Sequence, residues 1–237
     1  MSTGAAMASD WSIHLDRARD RDELIAELTA GSLPRAFAER AARAGDRPAL
    51  TIGDRTYSHR ELDQRAAALG GWLSLQGVRQ GDRVLIAGRT SHELVAAYLG
   101  TLRCGATALS VDAGSTAGEL GALIADANPV AACMDAEASV ALDRLDDGAP
   151  GIRLALEPEA RGIGVEEAIE AGKPIEAADA SAPAILAYTS GTTGRPKGVP
   201  LSHANALASI RAVMMAWDWL EDDVLLHALP LSHQHGL

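Results

Sequence analysis

The sequence predicts an α/β fold in which layered, mostly parallel sheets are flanked by helices. Short apolar runs of strand length alternate with segments whose apolar residues recur at helical spacing. Patterns of the form Ser/Thr-x-x-Glu, typical of helix starts, precede several of the helical segments. A parallel neighbour cannot be reached by a tight turn, so this alternating order requires helical crossovers between strands.

The first predicted elements are a helix and a strand. The spacing predicts a short helix over Leu33–Ala44 that ends at Gly45, and Pro48–Ile52 has the composition of a strand. Gly53 and Asp54 then favour a turn.

A second helix is predicted to begin at a capping box formed by Ser58 and Glu61. In this pattern the serine oxygen accepts from a free helix amide, and the glutamate reaches back to the amide of the serine. Gly77 stands where a left-handed helix end is expected. The apolar face between these signals consists of Leu62, Ala66, Leu69 and Leu73.

The same order of strand and helix then recurs. Residues 84–87 have the pattern of a strand, and Thr90 and Glu93 form a second predicted capping box. The helix that follows this capping box is expected to end at Arg103. Residues 106–111 predict the next strand of the sheet.

A third capping box, formed by Thr116 and Glu119, opens a less regular part of the chain. Residues 130–134 predict a strand and residues 136–145 a helix. Residues 146–164 are rich in Gly, Pro and Glu and lack clear periodicity, so no element is predicted there.

The chain is predicted to contain three regions. Residues 1–32 form an N-terminal extension, 33–182 a first α/β subdomain, and 183–237 the start of a second α/β subdomain. The boundary is placed in residues 174–183, an acidic and alanine-rich stretch typical of a surface connection.

Composition excludes some classes of partner. A formal charge of −11 on 237 residues argues against a protein that coats nucleic acid or an anionic membrane. Residues 1–8 lack the features of a signal peptide, and no apolar run approaches the length of a membrane span, so we expect a cytoplasmic protein. Cys104 and Cys133 lack metal-site or disulfide spacing and are expected to be reduced.

The segment 189–198, TSGTTGRPKG, follows an apolar strand and has the chemistry of a phosphate-binding loop. Its hydroxyls donate hydrogen bonds, its glycines let backbone amides approach an anion, and its lysine adds a positive charge. It is not the common P-loop, in which lysine directly follows glycine. A Gly/Thr-rich surface turn is the alternative. The candidate binding residues are Thr189, Ser190, Gly191, Thr192, Thr193, Gly194 and Lys197.

Three stretches resemble the adenylate-forming superfamily, which includes acyl-CoA synthetases, luciferases and the adenylation domains of peptide synthetases. Residues 188–199 match its loop YTSGTTGxPKGV throughout. Residues 228–237, ALPLSHQHGL, are similar to the LPLFHxHGL segment of its acyl-CoA synthetases, and residues 47–111 resemble its opening βα units. From about Leu33 onward, the chain resembles the N-terminal part of an acyl-CoA synthetase.

The resemblance implies a reaction and its participants. A small carboxylic acid attacks the α-phosphorus of ATP to give an acyl-adenylate, and coenzyme A then displaces AMP. The loop is expected to hold the β- and γ-phosphates, with Lys197 as counter-charge and the Thr193 hydroxyl as a ligand of Mg²⁺. His233 is the implied catalytic residue, near the acyl pocket and the reacting carboxylate.

This sequence departs from the superfamily pattern in two places. Ser232 stands where an aromatic residue is more usual, and LSVDAGSTAGEL at 109–120 replaces the usual Asn-Pro wording. Both departures concern the identity of the acyl group more than the reaction. The segment Trp217-Asp218-Trp219 and the wording of 227–237 resemble enzymes of short or dicarboxylic acids, such as malonyl-CoA synthetase.

Other interpretations remain open at this point. The chain is also compatible with a catalytically inactive nucleotide- or partner-binding module, or with a peptide-synthetase adenylation domain. His233 and His235 are alternatively a loop pair that bonds nearby backbone, or a metal pair. The superfamily's later motifs lie beyond residue 237, so the 237-residue chain alone is expected to be inactive. The sequence does not predict an oligomeric state.

The region between the two motifs is predicted to be a helix followed by a turn. Ser202 is a plausible cap for a helix that begins at His203 and runs through Met215. Asp222 and Asp223 are expected to lie in a solvated turn rather than a metal site. The large side chains Met214, Met215, Trp217 and Trp219 are expected to pack in the core.

Overall fold

The structure, a computed structural model, describes residues 21–145, 148–176, 183–189 and 197–232. The helices are α1 (Arg21–Thr29), α2 (Leu33–Ala44), α3 (His59–Leu75), α4 (His92–Arg103), α5 (Ala117–Ala127), α6 (Ala136–Asp143), α7 (Val165–Ala171) and α8 (His203–Ala216). The strands are β1 (Pro48–Ile52), β2 (Arg55–Ser58), β3 (Arg83–Ala87), β4 (Thr107–Val111), β5 (Ala131–Met134), β6 (Ile152–Ala155), β7 (Ile163–Gly164), β8 (Pro183–Thr189) and β9 (Lys197–Ser202).

A seven-stranded sheet in the order β7-β6-β5-β3-β4-β8-β9 forms the centre of the fold. Its strands pair in parallel except for β8 and β9, which form an antiparallel pair at one edge. Strands β1 and β2 form a separate antiparallel hairpin. The predicted α/β class with a mostly parallel sheet is confirmed.

Local capping chemistry places most helix starts as predicted. Complete capping boxes are present at Ser58–Glu61 and at Thr116–Glu119, and α2 begins and ends at the predicted residues. The prediction for α4 is wrong by one residue. The helix begins at His92, and the Ser91 hydroxyl accepts from the Leu94 amide at 3.0 Å. Either hydroxyl of the Thr-Ser pair could cap, and serine is at least as good an N-cap as threonine.

The less regular part of the chain contains elements that the sequence did not predict. Strands β6 and β7 lie within 148–164, where periodicity is weak, and α7 follows them directly. The predicted helix at 136–145 ends earlier, at Asp143. Strands of four and two residues are too short to show an alternating pattern, so only the pairing of β6 with β5 and of β7 with β6 identifies them.

The core is built from small aliphatic residues on both faces of the sheet. On one face α3, α4 and α7 pack against it, and on the other α5 and α6 do. Glycines allow α3 and α4 to approach closely, since a Cβ on Gly70 would lie 2.8 Å from the Gly100 carbonyl oxygen. A core of small aliphatic residues agrees with a composition that is only 3% aromatic.

The two cysteines lie inside this core as free thiols. Cys133 is buried in β5, and Cys104 caps the end of α4. Burial raises the thiol pKa of Cys104 to about 11 and that of Cys133 to about 12. Both thiols are therefore protonated at neutral pH.

The region 1–32 includes a helix that packs on α8. The Arg211 guanidinium donates to the carbonyl oxygens of Glu27, Leu28 and Ala30 at 2.7–3.0 Å, which caps the end of α1. Strands β8 and β9 belong to the same sheet as β3–β7, and 177–182 lie outside the described residues, so the division near residue 182 stays a prediction. None of the described helices is long and apolar enough to cross a membrane.

The prediction of a core role near the end of α8 is wrong for Met214, Met215 and Trp217, and Trp219 is half-buried. Met214, Met215 and Trp217 are 43%, 47% and 64% exposed. Helix α8 buries His203 and Leu207, and no described segment covers its opposite face. By contrast, 220–223 form the expected surface turn, in which the Asp223 carboxylate accepts from the Leu220 amide.

Close packing of α3 makes one glycine sensitive to substitution. A Cβ on Gly71 would lie 1.8 Å from the carbonyl oxygen of Lys173, whereas a Cβ on the helical Gly118 would meet nothing within 4 Å. We expect Gly71→Ala to lower the free energy of unfolding by about 3 kcal/mol, because backbone must move. Gly118→Ala should raise it by about 0.5–1 kcal/mol through helix propensity. Urea unfolding of both variants tests this; effects of the same sign would contradict it.

Candidate functional site

The candidate phosphate loop connects β8 and β9. Thr189, the last residue of β8, pairs directly with Lys197, the first residue of β9, and both are exposed. The predicted ligands between them (Ser190, Gly191, Thr192, Thr193 and Gly194) lie outside the described residues, so their roles stay predictions. The structure therefore fixes both ends of the loop.

The sheet places this loop at an edge suited to ligands. Strand β8 runs parallel to β4, with Ala108 opposite Ile185, and the Thr107 hydroxyl donates to the Pro183 carbonyl at 2.7 Å. The loop therefore leaves β8 at the same edge where β4 ends. In open α/β sheets, ligands bind at the carboxyl ends of the parallel strands.

A cavity of about 190 Å³ lies at the same edge, between the ends of β4 and β8. Its polar lining includes Ser110, Asp112, Ser115, Tyr188 and Ser232. The Ser110 hydroxyl oxygen is buried, and no described group accepts from it or donates to it. The cavity thus offers hydroxyl groups and one carboxylate to a polar ligand.

The two departures from the superfamily pattern meet in this cavity. The Ser232 hydroxyl donates to Asp112 Oδ2 at 3.4 Å, and Asp112 Oδ1 accepts from the Gly114 amide at 2.8 Å. Ser232 and the segment 109–120, which contains Asp112, were noted separately in the sequence. Their contact spans 120 positions, and no local pattern predicts it. His233, the predicted catalytic residue, follows Ser232 directly and lies outside the described residues.

Tyr188, immediately before the loop, has a partner that sequence reasoning missed. Its hydroxyl donates to the Asp126 carboxylate near the end of α5. Burial raises the pKa of Tyr188, and the hydrogen bond and negative charge of Asp126 raise it further, while Arg83 acts in the opposite direction. The phenol is therefore a proton donor throughout the physiological pH range.

His203, which follows the last residue of β9, forms a hydrogen bond with a distant part of the chain. The Leu33 amide donates to its Nδ1 at 3.2 Å, which joins the start of α2 to the start of α8. Ser202 caps α8 as predicted, and Asn205 completes a capping box. Burial lowers the pKa of His203, so the imidazole is neutral and can accept this hydrogen bond.

No cluster of three or more His, Cys, Asp or Glu side chains that could hold a metal ion occurs within the described parts of the chain. Lys197 and Thr189 fit the phosphates of a nucleotide, since an exposed lysine and an exposed threonine pair across the two strands at the loop ends. A Mg²⁺ ion held mainly by phosphate oxygens and water needs only one or two protein ligands. The predicted ligand, Thr193, lies outside the described residues.

A mostly parallel sheet that carries a Gly/Thr-rich loop at its carboxyl edge defines the N-terminal domain of an adenylate-forming enzyme. The family described as AMP-binding enzyme matches residues 37–237, so this chain belongs to that family.

Individual relatives include both ligases and peptide synthetases. The chain is 33% identical over 212 residues to the mitochondrial malonate–CoA ligase ACSF3 of Homo sapiens, covering 84% of this chain and 35% of that protein. It is 34% identical over 177 residues to surfactin synthase subunit 3 of Bacillus subtilis (strain 168), covering 75% and 13%. The solved apo structure of Mycobacterium smegmatis MbtA superposes with a TM-score of 0.79 at 26% identity, covering 94% and 44%. The chain thus spans less than half the length of each of these relatives.

The buried His203 predicts a pH dependence of stability. Its ordinary pKa is 6.5 and burial lowers it, so the unfolded chain binds the extra proton more readily than the folded chain. The contribution of neutral His203 is complete above about pH 6.5 and is lost as the pH falls toward its folded pKa. Between pH 7.5 and 5.5, we expect wild type to lose more unfolding free energy than His203→Asn, whose side-chain oxygen replaces Nδ1 as the acceptor.

Denaturant titrations at several pH values measure this difference. The pKa of His59 is also lowered, by burial and by Arg40 and Arg47, but His59 is present in both proteins and cancels in the comparison. Parallel pH profiles for the two proteins would contradict the prediction.

Proposed function

We propose that the protein carrying this chain uses ATP to convert a carboxylic acid into an acyl-adenylate and then transfers the acyl group to coenzyme A. One observation carries the proposal: Thr189 and Lys197 lie opposite each other at the carboxyl edge of the sheet, beside a cavity that contains hydroxyl groups and a carboxylate. This arrangement supports a triphosphate at the loop and an acid close to its α-phosphorus. Membership in a family of adenylate-forming ligases supports the first half-reaction.

The chemistry requires the loop to act mainly through charge and position. A carboxylate oxygen forms a bond to the α-phosphorus while the bond to the pyrophosphate oxygen breaks. Pyrophosphate leaves with additional negative charge, which Lys197 and the loop amides and hydroxyls are suited to stabilise. Transfers at phosphorus depend on such positioning and electrostatics more than on covalent groups. Bound Mg²⁺ would supply further positive charge to the phosphates, with the Thr193 hydroxyl as its protein ligand.

His233 is proposed to orient the reacting carboxylate. Ser232, its neighbour, reaches the cavity and donates to Asp112, so the histidine segment begins beside the end of β4. An imidazole at this position can donate a hydrogen bond from a ring nitrogen to a carboxylate oxygen.

For the acid, we propose a short or dicarboxylic substrate. The support is the similarity to a malonate–CoA ligase over most of this chain. Hydroxyl groups and one carboxylate stand among the aliphatic side chains of the cavity lining, where they can bind a second polar group on the acid.

A peptide-synthetase adenylation domain is the second candidate, favoured by the similarity to surfactin synthase. Both candidates share the first half-reaction and differ in the thiol acceptor. Thioester formation with free coenzyme A distinguishes an acyl-CoA ligase from a domain that transfers to a carrier protein. Because the chain spans 35% of the malonate–CoA ligase, turnover is proposed for the whole protein and not for residues 1–237 alone.

Lys197 provides the most direct test of the proposal. In the whole protein we expect carboxylate-dependent exchange of labelled pyrophosphate into ATP. Lys197→Ala should reduce the rate about ten- to a hundredfold, because a charge-assisted hydrogen bond contributes about 1.5–3 kcal/mol. A panel of mono- and dicarboxylic acids in the same assay identifies the substrate class.

Lys173 is the matched control, since it is the other lysine of the sequence and is exposed at a distance from the loop, after α7. Lys173→Ala should exchange at the wild-type rate. The absence of exchange with every acid, in folded protein that binds ATP, would favour an inactive nucleotide-binding module.

A further inference from the structure

We propose that Asp126 is a positioning residue for the phosphate loop, because its carboxylate holds the Tyr188 phenol over Gly198 and so aligns the two strands that support the loop. The inference rests on the proposed function, in which residues 189–197 bind the phosphates of ATP. It assigns a role in nucleotide binding to a helix residue that lies 62 positions before Tyr188.

The strand register places Tyr188 next to the loop on both strands. Tyr188 pairs with Gly198, and the next pair toward the loop is Thr189 with Lys197. Directly opposed residues of an antiparallel pair project to the same face, so the Tyr188 ring and Gly198 share one side of the hairpin. A shift of the ring therefore acts on the strand pair that ends in Thr189 and Lys197.

Gly198 leaves the space that the ring occupies. A Cβ added there would lie 3.2 Å from Tyr188 Cζ, 3.3 Å from its hydroxyl oxygen and 3.1 Å from Leu186 Cδ1. These distances are tighter than ordinary van der Waals contacts, so the ring would have to move by a few tenths of an ångström. The glycine after Lys197 thus has a packing role besides its place in the loop motif.

Asp126 is held by a well-anchored helix. Helix α5 begins at the Thr116–Glu119 capping box, buries Leu120 and Ile124, and ends at Asn128 in the left-handed conformation. Leu186 and Tyr188, both on β8, pack against the apolar cluster that includes this helix. The hydrogen bond from Tyr188 to Asp126 therefore connects the hairpin to a fixed part of the domain.

The geometry predicts a specific kinetic effect. Asp126→Ala and Tyr188→Phe leave the charge of Lys197 in place and only loosen the strand ends that carry it, so they should weaken ATP binding more than they slow the bound complex. We expect Asp126→Ala and Tyr188→Phe each to raise the KM for ATP about three- to tenfold, with kcat and the KM for the acid nearly unchanged. Since both changes remove the same hydrogen bond, the double variant should match either single variant.

Conservative and control variants separate positioning from general destabilisation. Asp126→Asn keeps an acceptor oxygen and should restore much of the ATP affinity. Glu137→Ala removes another exposed carboxylate, on α6, which pairs with Arg89 and not with the hairpin, and should leave the KM for ATP unchanged. Unfolding curves recorded on the same proteins show whether any change in KM merely follows stability.

A second pair of variants tests the contact with Gly198. Gly198→Ala should raise the KM for ATP in the wild-type background because its Cβ meets the ring. In a Tyr188→Ala background only the contact with Leu186 Cδ1 remains, so the same substitution should have a smaller effect. Equal effects in both backgrounds would count against the ring as the link between Asp126 and the loop.

The measurements use the whole protein, with pyrophosphate exchange for kinetics and calorimetry for MgATP affinity. If Lys197→Ala is impaired while Asp126→Ala and Tyr188→Phe bind ATP within twofold of wild type, the positioning role is wrong and the proposed function stands. If wild type binds MgATP but shows no pyrophosphate exchange, the ligase function is wrong. The positioning role is then tested by comparing the MgATP affinity of the variants with that of wild type. Wild-type protein that neither binds nor exchanges overturns both.

Discussion

The pairing of β8 with β4 is the constraint on which the candidate site depends. Strand β4 lies inside the sheet, with β3 on one side and β8 on the other, and the Thr107 hydroxyl reinforces the start of the second pairing. Because the two strands are parallel, the end of β4 and the loop after β8 reach the same edge. A parallel partner is reached only through a long connection. Three helices and three strands lie in the described residues between β4 and β8.

Small side chains allow the helices on this sheet to pack closely against each other. Ala66 and Leu69 of α3 contact the glycine of α4, and the carbonyl of Lys173 crosses over Gly71. Such contacts bring backbone against backbone and tolerate little change in volume. A buried polar group also contributes to this packing. Arg103 of α4 donates to the Ile175 carbonyl and pairs with Asp63 of α3. The connection toward β8 is thereby attached to both α3 and α4.

Local chemistry explains what the sequence predicted well. A capping box needs only four consecutive residues, so Ser58 and Thr116 were identified correctly, and the Thr90–Ser91 ambiguity shifted one helix start by a single residue. The exposed Trp217 was misassigned because an apolar residue on a helix does not reveal whether anything covers it. The Asp126–Tyr188 and Asp112–Ser232 contacts join residues far apart in sequence, and only the tertiary fold brings them together.

Both candidate motifs are finally arranged around the carboxyl end of β4. The phosphate loop reaches it through β8, and the histidine segment reaches it through Ser232 and Asp112. Between the two motifs, the turn after α8 is held to α2 and the turn that follows it, where Arg40 and Arg47 pair with Glu221 and Asp222. Each exposed ion pair contributes little, but together they fix the direction in which the chain returns to the sheet. In an acidic protein of net charge −11, attraction of a triphosphate cannot come from the overall field. It must come from local donors, whose alignment therefore depends on the strands and contacts that hold the loop.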